Sequence, residues 1–535
     1  MSSKPNLKND IIAGVVVSLV AIPLCLGIAL SSGMPPFAGM ISGILGGIVI
    51  GCISRSQLSV SGPAAGLITI VATGITDIGI NGVLLAVFLA GLFQIGLSLL
   101  KAGGIAYYFP SSVIEGMLAA IGITIILKNI PTLLGFPEAL SDEETGFQFY
   151  QRILSDVSEH VNEIALGTGI VALICMVLWD KYKPKILKTI PGALIAVIVG
   201  LVSYFIFQKT NTSFEGSELV QLPVVESFNS FTQLFLFPNF GLIANPKIWV
   251  LALTIGMVAS IETLLTIEAT DKIDPLRRVT PTNRELFAQG IGNSLSGLIG
   301  GLPITSVIVR SKAGLVAGGR TKTTTIVHGI ILLLGVLFIA KFLNMIPLAS
   351  LAAILVVTGY KLCNPALFKH VFSLSKHQWI PFVITVLAIL LTDLLKGVGI
   401  GMLVAVYFIL RGNMKSCYTM YITHVDNQKY IHLILSEEIS FLKKSTIIKT
   451  LSRIKNNSNI IIDAEKTVYI DFDVLELIRE FKAETAPRKN INLKLINFKD
   501  VYEIPNNGDG VNLSVANTRS VKLENKNIDN LDTIK

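Results

Sequence analysis

The chain has 535 residues, of which 51% are hydrophobic and only 15% charged. Soluble globular chains carry about 25% charged residues, so a wholly soluble protein is excluded. The net charge of +8 sits mostly in alternate short loops, which reads as membrane orientation and excludes a nucleic-acid partner.

Residues 11–30 and 37–53 contain no charge. Runs of about 18–20 apolar residues read as membrane helices. The first run lacks a clear small-residue cleavage site, and more spans follow at once, so it reads as a retained span and not a signal peptide. About fourteen apolar spans are expected along the chain. They begin near Ile11, Phe37, Pro63, Gly82, Ser111, Val161 and Leu187, and then near Ile248, Leu286, Ser306, Ile326, Pro347, Ile380 and Lys396. The third and tenth are short and open on a proline-led break. One break is Ser61-Gly62-Pro63-Ala64-Ala65-Gly66; the other is Gly300-Gly301-Leu302-Pro303-Ile304-Thr305-Ser306. A break frees backbone groups that lipid cannot satisfy, so this backbone must face protein or a water-filled cavity.

Loop charges set the topology. Arg55, Lys101, the group Lys181, Lys183, Lys185 and Lys188, then Lys272, Arg277, Arg278, Arg284, Lys312, Arg320 and Lys322 fall on one side. The opposite loops are poor in Lys and Arg: 138–159 is acidic and 208–247 nearly uncharged. The positive-inside rule places residues 1–9 in the cytoplasm, and an even span count returns the C-terminus there. The expectation is a multi-pass protein of the plasma (inner) membrane, with the lipid bilayer as its surroundings. Residues 10–208 and 246–411 read as two seven-span repeats. An odd number per repeat turns the second copy upside down, as in many secondary transporters.

Beyond Arg411 the pattern changes. Within 415–505, strands are predicted at 429–435, 459–463 and 491–496, and helices at 446–455 and 472–481. Alternating strands and helices predict a small cytoplasmic α/β domain. The Asn-rich tail 506–535 is predicted to be disordered.

Broken helices at corresponding positions of two halves point to a transporter's binding site. Two helix N-termini supply free N–H donors and positive dipole ends, which suits an anion. Pro63 and Pro303 are the breakers. Ala64, Ala65 and Gly66 on one side, with Thr305 and Ser306 on the other, are the candidate anion contacts; the competing reading is small residues that let helices pack closely. Glu262 is the sole charge in 251–266. A carboxylate at mid-membrane costs about 2.5–3.5 kcal/mol, so it reads as functional. Thr266 lies one turn on, and the pair is a candidate H+ or Na+ site. The competing reading is a structural carboxylate bonded to neighbouring helix ends. Arg310, one turn beyond Ser306, either sets a positive potential for an anion, pairs with Glu262, or snorkels to the cytoplasmic edge.

Other polar residues read as packing or caps. Glu268 and Asp271 read as solvated, and Glu115, Asp393 and Lys396 as span-end or packing charges. Asp463 ends a strand, and Asp471 and Asp473 precede a helix as caps. Cys25, Cys52, Cys175, Cys363 and Cys417 form no CxxC pair, which implies neither disulfides nor a metal centre. His328 reads as a core histidine. No resident cofactor and no enzyme motif is expected beyond the coupling ion.

The stretch Asp274-Pro275-Leu276-Arg277-Arg278, Asn283-Arg284-Glu285-Leu286, Gln289-Gly290-Ile291-Gly292-Asn293, Gly300-Gly301-Leu302-Pro303 and Gly318-Gly319-Arg320-Thr321 resembles the sulfate permease family of inorganic anion transporters. Asp10-Ile11-Ile12-Ala13-Gly14 with Ala21-Ile22-Pro23 resembles its first span, and Gly62-Pro63 its third. The resemblance implies a seven-plus-seven inverted repeat with core and gate domains. It implies elevator-like movement of anions such as sulfate, bicarbonate, chloride or dicarboxylates, commonly by a homodimer. It implies that the region after Arg411 is a sulfate-transporter and anti-sigma-antagonist (STAS) domain; a cytoplasmic regulator is a candidate partner of that domain. The family's acidic residue matches Glu262, its tenth-span arginine Arg310, and its helix-start site Ala64, Ala65, Thr305 and Ser306. Three positions depart. Leu24 stands where many members have glutamine, Val309 where many have serine, and Asp473 where related STAS domains carry a phosphorylatable Ser or Thr. Two other functions share some of these features: a nucleobase permease of the same fold, and a membrane-tethered STAS signalling module. Pro303–Arg310 holds an arginine and no acid, which favours an anion over a nucleobase.

Overall fold

The computed structural model describes residues 7–104, 109–135, 162–182, 190–209, 214, 218–224, 234–392, 394–415, 417–425, 428–499, 502 and 521–523. The acidic loop 138–159, Lys183, Lys185, Lys188, Asp393 and most of the tail lie outside these residues. Two compact units are present, Met1–Met402 and Leu403–Lys535.

The first unit is helical, and its last helix, Leu394–Lys415, continues past Met402 into the second. In chain order it contains α1 (Leu7–Ser31), α2 (Pro36–Ile53), β1 (Ser61–Pro63), α3 (Ala65–Leu99), α4 (Ser111–Leu133), α5 (Glu163–Tyr182) and α6 (Gly192–Lys209). There follow α7 (Pro246–Ile273), α8 (Thr282–Ile299), β2 (Ile304–Ser306), α9 (Ile308–Val316), α10 (Thr323–Phe338), α11 (Leu348–Leu362), α12 (Pro365–Ser373), α13 (Lys376–Leu391) and α14 (Leu394–Lys415). Among the described residues, seven helices are long and apolar enough to cross a membrane: α1, α2, α3, α4, α5, α7 and the run Leu348–Ser373. Shorter apolar helices lie at Gly192–Gln208, Thr323–Phe338 and Lys376–Leu391.

Local chemistry explains the breaks. The expected third and fourth spans are two arms of α3. They meet at Gly79, whose φ of 72° lies in the left-handed region that glycine tolerates. α8 stops at Gly300 in the same region, with φ of 91°, the usual glycine C-cap. Asn245 caps α7, its side chain accepting from Lys247 N–H at 3.0 Å.

Packing sorts the helices into two groups. α3 lies against α7 and α8, and α1 against α2, α9 and α10. α4 lies against α11 and α13, and α5 against α6 and α11. Small residues permit these approaches. A Cβ on Gly122 or on Gly359 would come 2.6 Å from the other's carbonyl oxygen, so α4 and α11 touch backbone to backbone.

The second unit is α/β. Its strands are β3 (Tyr418–Val425), β4 (Gln428–Leu435), β5 (Glu438–Ile439), β6 (Asn459–Asp463), β7 (Tyr469–Ile470), β8 (Asn492–Ile496) and β9 (Val521–Leu523). The main sheet runs β8-β6-β4-β3-β9, with β4, β6 and β8 parallel and β3 antiparallel to both neighbours. Helices α15 (Lys444–Ser452) and α16 (Phe472–Glu480) supply Ile447, Leu451, Val474 and Ile478 to a core with Ile460, Ile462 and Leu495. Asp471 is the N-cap of α16, accepting from Asp473 N–H at 3.1 Å. β9 falls inside the tail expected to be disordered. Its Val521 and Leu523 stand opposite Ile422 and Met420 on the otherwise open edge of β3.

Candidate functional site

The two proline-led breaks meet. Before turning helical, each is a short strand, and together they form an antiparallel ladder: Ser61 opposite Ser306, Gly62 opposite Thr305, Pro63 opposite Ile304. The pairing extends at both ends, with Ala64 N–H donating to Pro303 O at 3.1 Å and Val307 N–H to Val60 O at 2.9 Å. From this ladder one chain enters α3 at Ala65 and the other α9 at Ile308. The first N–H groups of each helix have no acceptor within it, and each start carries the positive end of a helix dipole.

Buried side chains from neighbouring helices hold the ladder. Asn293 on α8 accepts from Ile304 N–H at 2.6 Å and donates to Ile304 O at 3.0 Å and to Gln94 Oε1 at 2.8 Å. Gln289 donates to Ser61 Oγ at 2.8 Å and to Glu285 Oε1 at 3.0 Å, and Glu285 also accepts from Ser54 Oγ. Thr325 Oγ1 donates to Ser59 O at 2.9 Å, and Ser311 Oγ accepts from Val60 N–H at 3.0 Å. Asn293→Ala would leave both backbone groups of Ile304 without this partner. The expected cost is about 2–5 kcal/mol, seen as a lower unfolding temperature of the detergent-solubilised protein.

Each sequence-predicted residue has a definite place. Thr305 is fully buried, and its Oγ1 has no hydrogen-bond partner. Ser306 is buried, its hydroxyl 2.6 Å from Ser59 Oγ. Its N–H donates to Thr263 Oγ1 at 3.3 Å. The amides of Ala64 and Ser306 are thus committed to protein acceptors, the first through the ladder and the second through Thr263 on α7. Ala65 opens α3 and is half-buried. Gly66 lies against Glu262: a Cβ there would sit 3.0 Å from Glu262 Oε2. That oxygen is buried and has no hydrogen-bond partner. Thr266 is half-buried, and among the described residues no hydrogen bond joins it to Glu262.

Arg310 does not snorkel; its side chain is 0% exposed. Its guanidinium packs against Gly62, where a Cβ would collide with Nη1. Nη2 reaches Cys25 Sγ at 3.4 Å, while Nε and Nη1 have no partner. No ion pair joins Arg310 to Glu262 among the described residues. Leu24 is buried beside Cys25. The side chain of His328 is also wholly buried; Nδ1 lies 3.4 Å from Ser18 Oγ and Nε2 is without a partner.

Sequence reasoning gave no role to Thr263, Gln289 or Asn293. Glu285, Gln289 and Asn293 follow at i, i+4 and i+8, a polar stripe along one face of α8. That stripe was a readable signal of buried polar contacts. Thr263 carries no such signal, since it is one of five hydroxyl residues spread along α7. The Asp274–Arg278 motif closes the end of α7. Burial alone would raise the Asp274 carboxyl, but Arg278, whose Nε donates to it at 2.7 Å, and Leu276 N–H hold it below the usual carboxylate range.

Discontinuous helices meeting on a buried ladder, with a carboxylate and a guanidinium beside them, define an α-helical membrane transporter and not an enzyme. The model of the sulfate permease family matches residues 7–385. The chain belongs to that family. YvdB of Bacillus subtilis (strain 168) is 29% identical over 408 residues, 76% of this chain and 74% of YvdB. The bicarbonate transporter BicA of Picosynechococcus sp. (strain ATCC 27264 / PCC 7002 / PR-6) is 28% identical over 411 residues, 75% of this chain and 69% of BicA. The murine Solute Carrier 26 family member A9 anion transporter, solved in the inward-facing state, superposes with a TM-score of 0.73 at 15% identity, over 94% of this chain and 87% of that one. That likeness concerns the fold.

Proposed function

We propose that the protein is a secondary active transporter that carries a small inorganic oxyanion, sulfate or bicarbonate, across the plasma membrane. One observation carries the reading: the β1–β2 ladder brings two helix N-termini to one buried place, where amides and dipole ends solvate a negative ion. The fully buried Arg310 behind Gly62 adds positive potential. The partnerless Glu262 oxygen beside Gly66 is where H+ or Na+ binds to couple the movement, and no other cofactor is used. Relatives named as a bicarbonate transporter and as a sodium-independent sulfate anion transporter support an anion as cargo.

The two packing groups act as core and gate: α1–α3 with α7–α10 form the core, and α4–α6 with α11–α14 the gate. The core slides against the gate in an elevator-type cycle. Counting the two arms of α3 separately and Leu348–Ser373 as one run, each repeat contributes seven segments, and the antiparallel pairing of β1 with β2 is what an inverted repeat of fourteen spans produces. The α/β unit after Arg411 is a STAS domain on the cytoplasmic side, with both termini there, and the protein works as a homodimer in which this domain meets a cytoplasmic regulator.

The test is uptake of radiolabelled sulfate and bicarbonate by full-length protein in proteoliposomes, with and without a sodium gradient, at two pH values. Gradient-dependent accumulation of one of them is expected. Uptake of neither anion, or competition by uracil or xanthine, would overturn the reading.

A further inference from the structure

A small cleft lies beside the start of α3. Ala65, Gly66 and Thr69 line it from α3, and Ile121, Thr124 and Lys128 from α4. Lys128 belongs to a helix apolar enough to span the membrane. A lysine ammonium is a compact, strongly hydrated charge, and placing one within a span calls for a partner or a polar cavity. Among the described residues Lys128 makes no hydrogen bond or ion pair. The two ordinary uses of a lysine near a helix end are also absent. It lies outside the last turn of α4, which holds no basic residue, so it does not complement the helix dipole there. It lines the cleft where a snorkelling side chain would leave for the membrane surface.

We propose that Lys128 is a second cationic contact for the transported anion, placed across the cleft from the α3 helix start, and that it biases the site toward doubly charged oxyanions. This rests on the anion-transport reading above. Charge balance gives the reason. Gly66 lies against the Glu262 carboxylate and also lines the cleft that holds Lys128. Arg310 and Lys128 are two positive charges against the single negative charge of Glu262. A coupling cation on Glu262 raises the sum to two positive charges. A doubly charged oxyanion then neutralises the loaded site, whereas a singly charged anion leaves one positive charge uncompensated in a low-dielectric interior. A neutral loaded site is also the one that crosses the bilayer at least electrostatic cost.

The experiment compares sulfate and bicarbonate uptake by wild type, Lys128→Met and Lys128→Arg in proteoliposomes. Wild type is expected to favour sulfate. Lys128→Met should raise the KM for sulfate at least about tenfold and move that for bicarbonate less than about threefold. Lys128→Arg should keep the wild-type ratio of the two. If Lys128→Met carries neither anion while Lys128→Arg is active, the charge serves both anions alike and the proposed bias is overturned. An unchanged sulfate-to-bicarbonate ratio in Lys128→Met overturns it, as does loss of both anions in both variants, which marks a packing role. Wild type that carries bicarbonate and no sulfate overturns this inference and leaves the transport reading intact. Wild type that carries neither anion removes both.

Discussion

Glu262→Gln is expected to fold normally and to lose the cation dependence of uptake. The substitution keeps the shape of the side chain and removes its charge. Glu262 Oε2 is buried against Gly66 with no hydrogen-bond partner, so no protein contact depends on that oxygen. A buried carboxylate oxygen without a partner is costly, and a bound proton or sodium ion relieves that cost. In the variant this reason to bind a cation is gone. Gradient-driven uptake should fall at least about tenfold, the size of one lost charge-assisted interaction. The remaining uptake should be equal with and without the gradient. Proteoliposomes under an imposed sodium or proton gradient provide the measurement; normal gradient dependence in the variant would remove Glu262 from the coupling step.

Arg310→Met should separate function from stability. Arg310 is fully buried, held by one 3.4 Å contact to Cys25, and two of its three guanidinium nitrogens have no partner. Replacing a buried charge by an apolar side chain of similar length is often neutral or stabilising. The melting temperature in detergent should therefore stay level or rise. Anion uptake should fall by about one to two orders of magnitude, since a cation in low dielectric contributes strongly to holding an anion. A residue kept only for packing would behave in the opposite way, with stability lost and uptake retained in proportion to the folded protein. Arg310→Lys keeps the charge on a thinner head, and should retain more uptake than Arg310→Met.

Much of this architecture is legible in the residues. Apolar runs place the helices, because a bilayer demands long stretches without charge. Pro63 and Pro303 mark the two breaks, because proline opens a helix more readily than it continues one. Alternation and β-rich runs locate β4, β6 and β8 within a residue or two of their observed ends. Other features need the third dimension. That Ser61–Pro63 and Ile304–Ser306 pair as strands is a contact between segments far apart in sequence, and three residues carry too little pattern to announce it. The same pairing commits the amide of Ala64, and Thr263 on α7 commits that of Ser306; the sequence offered both as anion contacts. The fate of Arg310 also turned on fold: spacing allowed an arginine at the membrane edge, and only the absence of a side chain at Gly62 explains how the guanidinium fits inside. Lys128 escaped notice for a related reason. No residue pattern singles it out, and its place in one cleft with Gly66 depends on how α4 leans on the start of α3.

The central claim is that two helix starts, joined by a backbone ladder deep in the membrane domain, cradle the transported anion. Selenate is a sulfate-shaped oxyanion whose selenium scatters anomalously. Crystals of the full-length protein grown with selenate should show an anomalous peak beside Ala65 and the first turn of α9, with oxygens roughly 2.7–3.2 Å from their N–H groups. A fully occupied selenate elsewhere, with this position filled only by protein or lipid, would contradict the account.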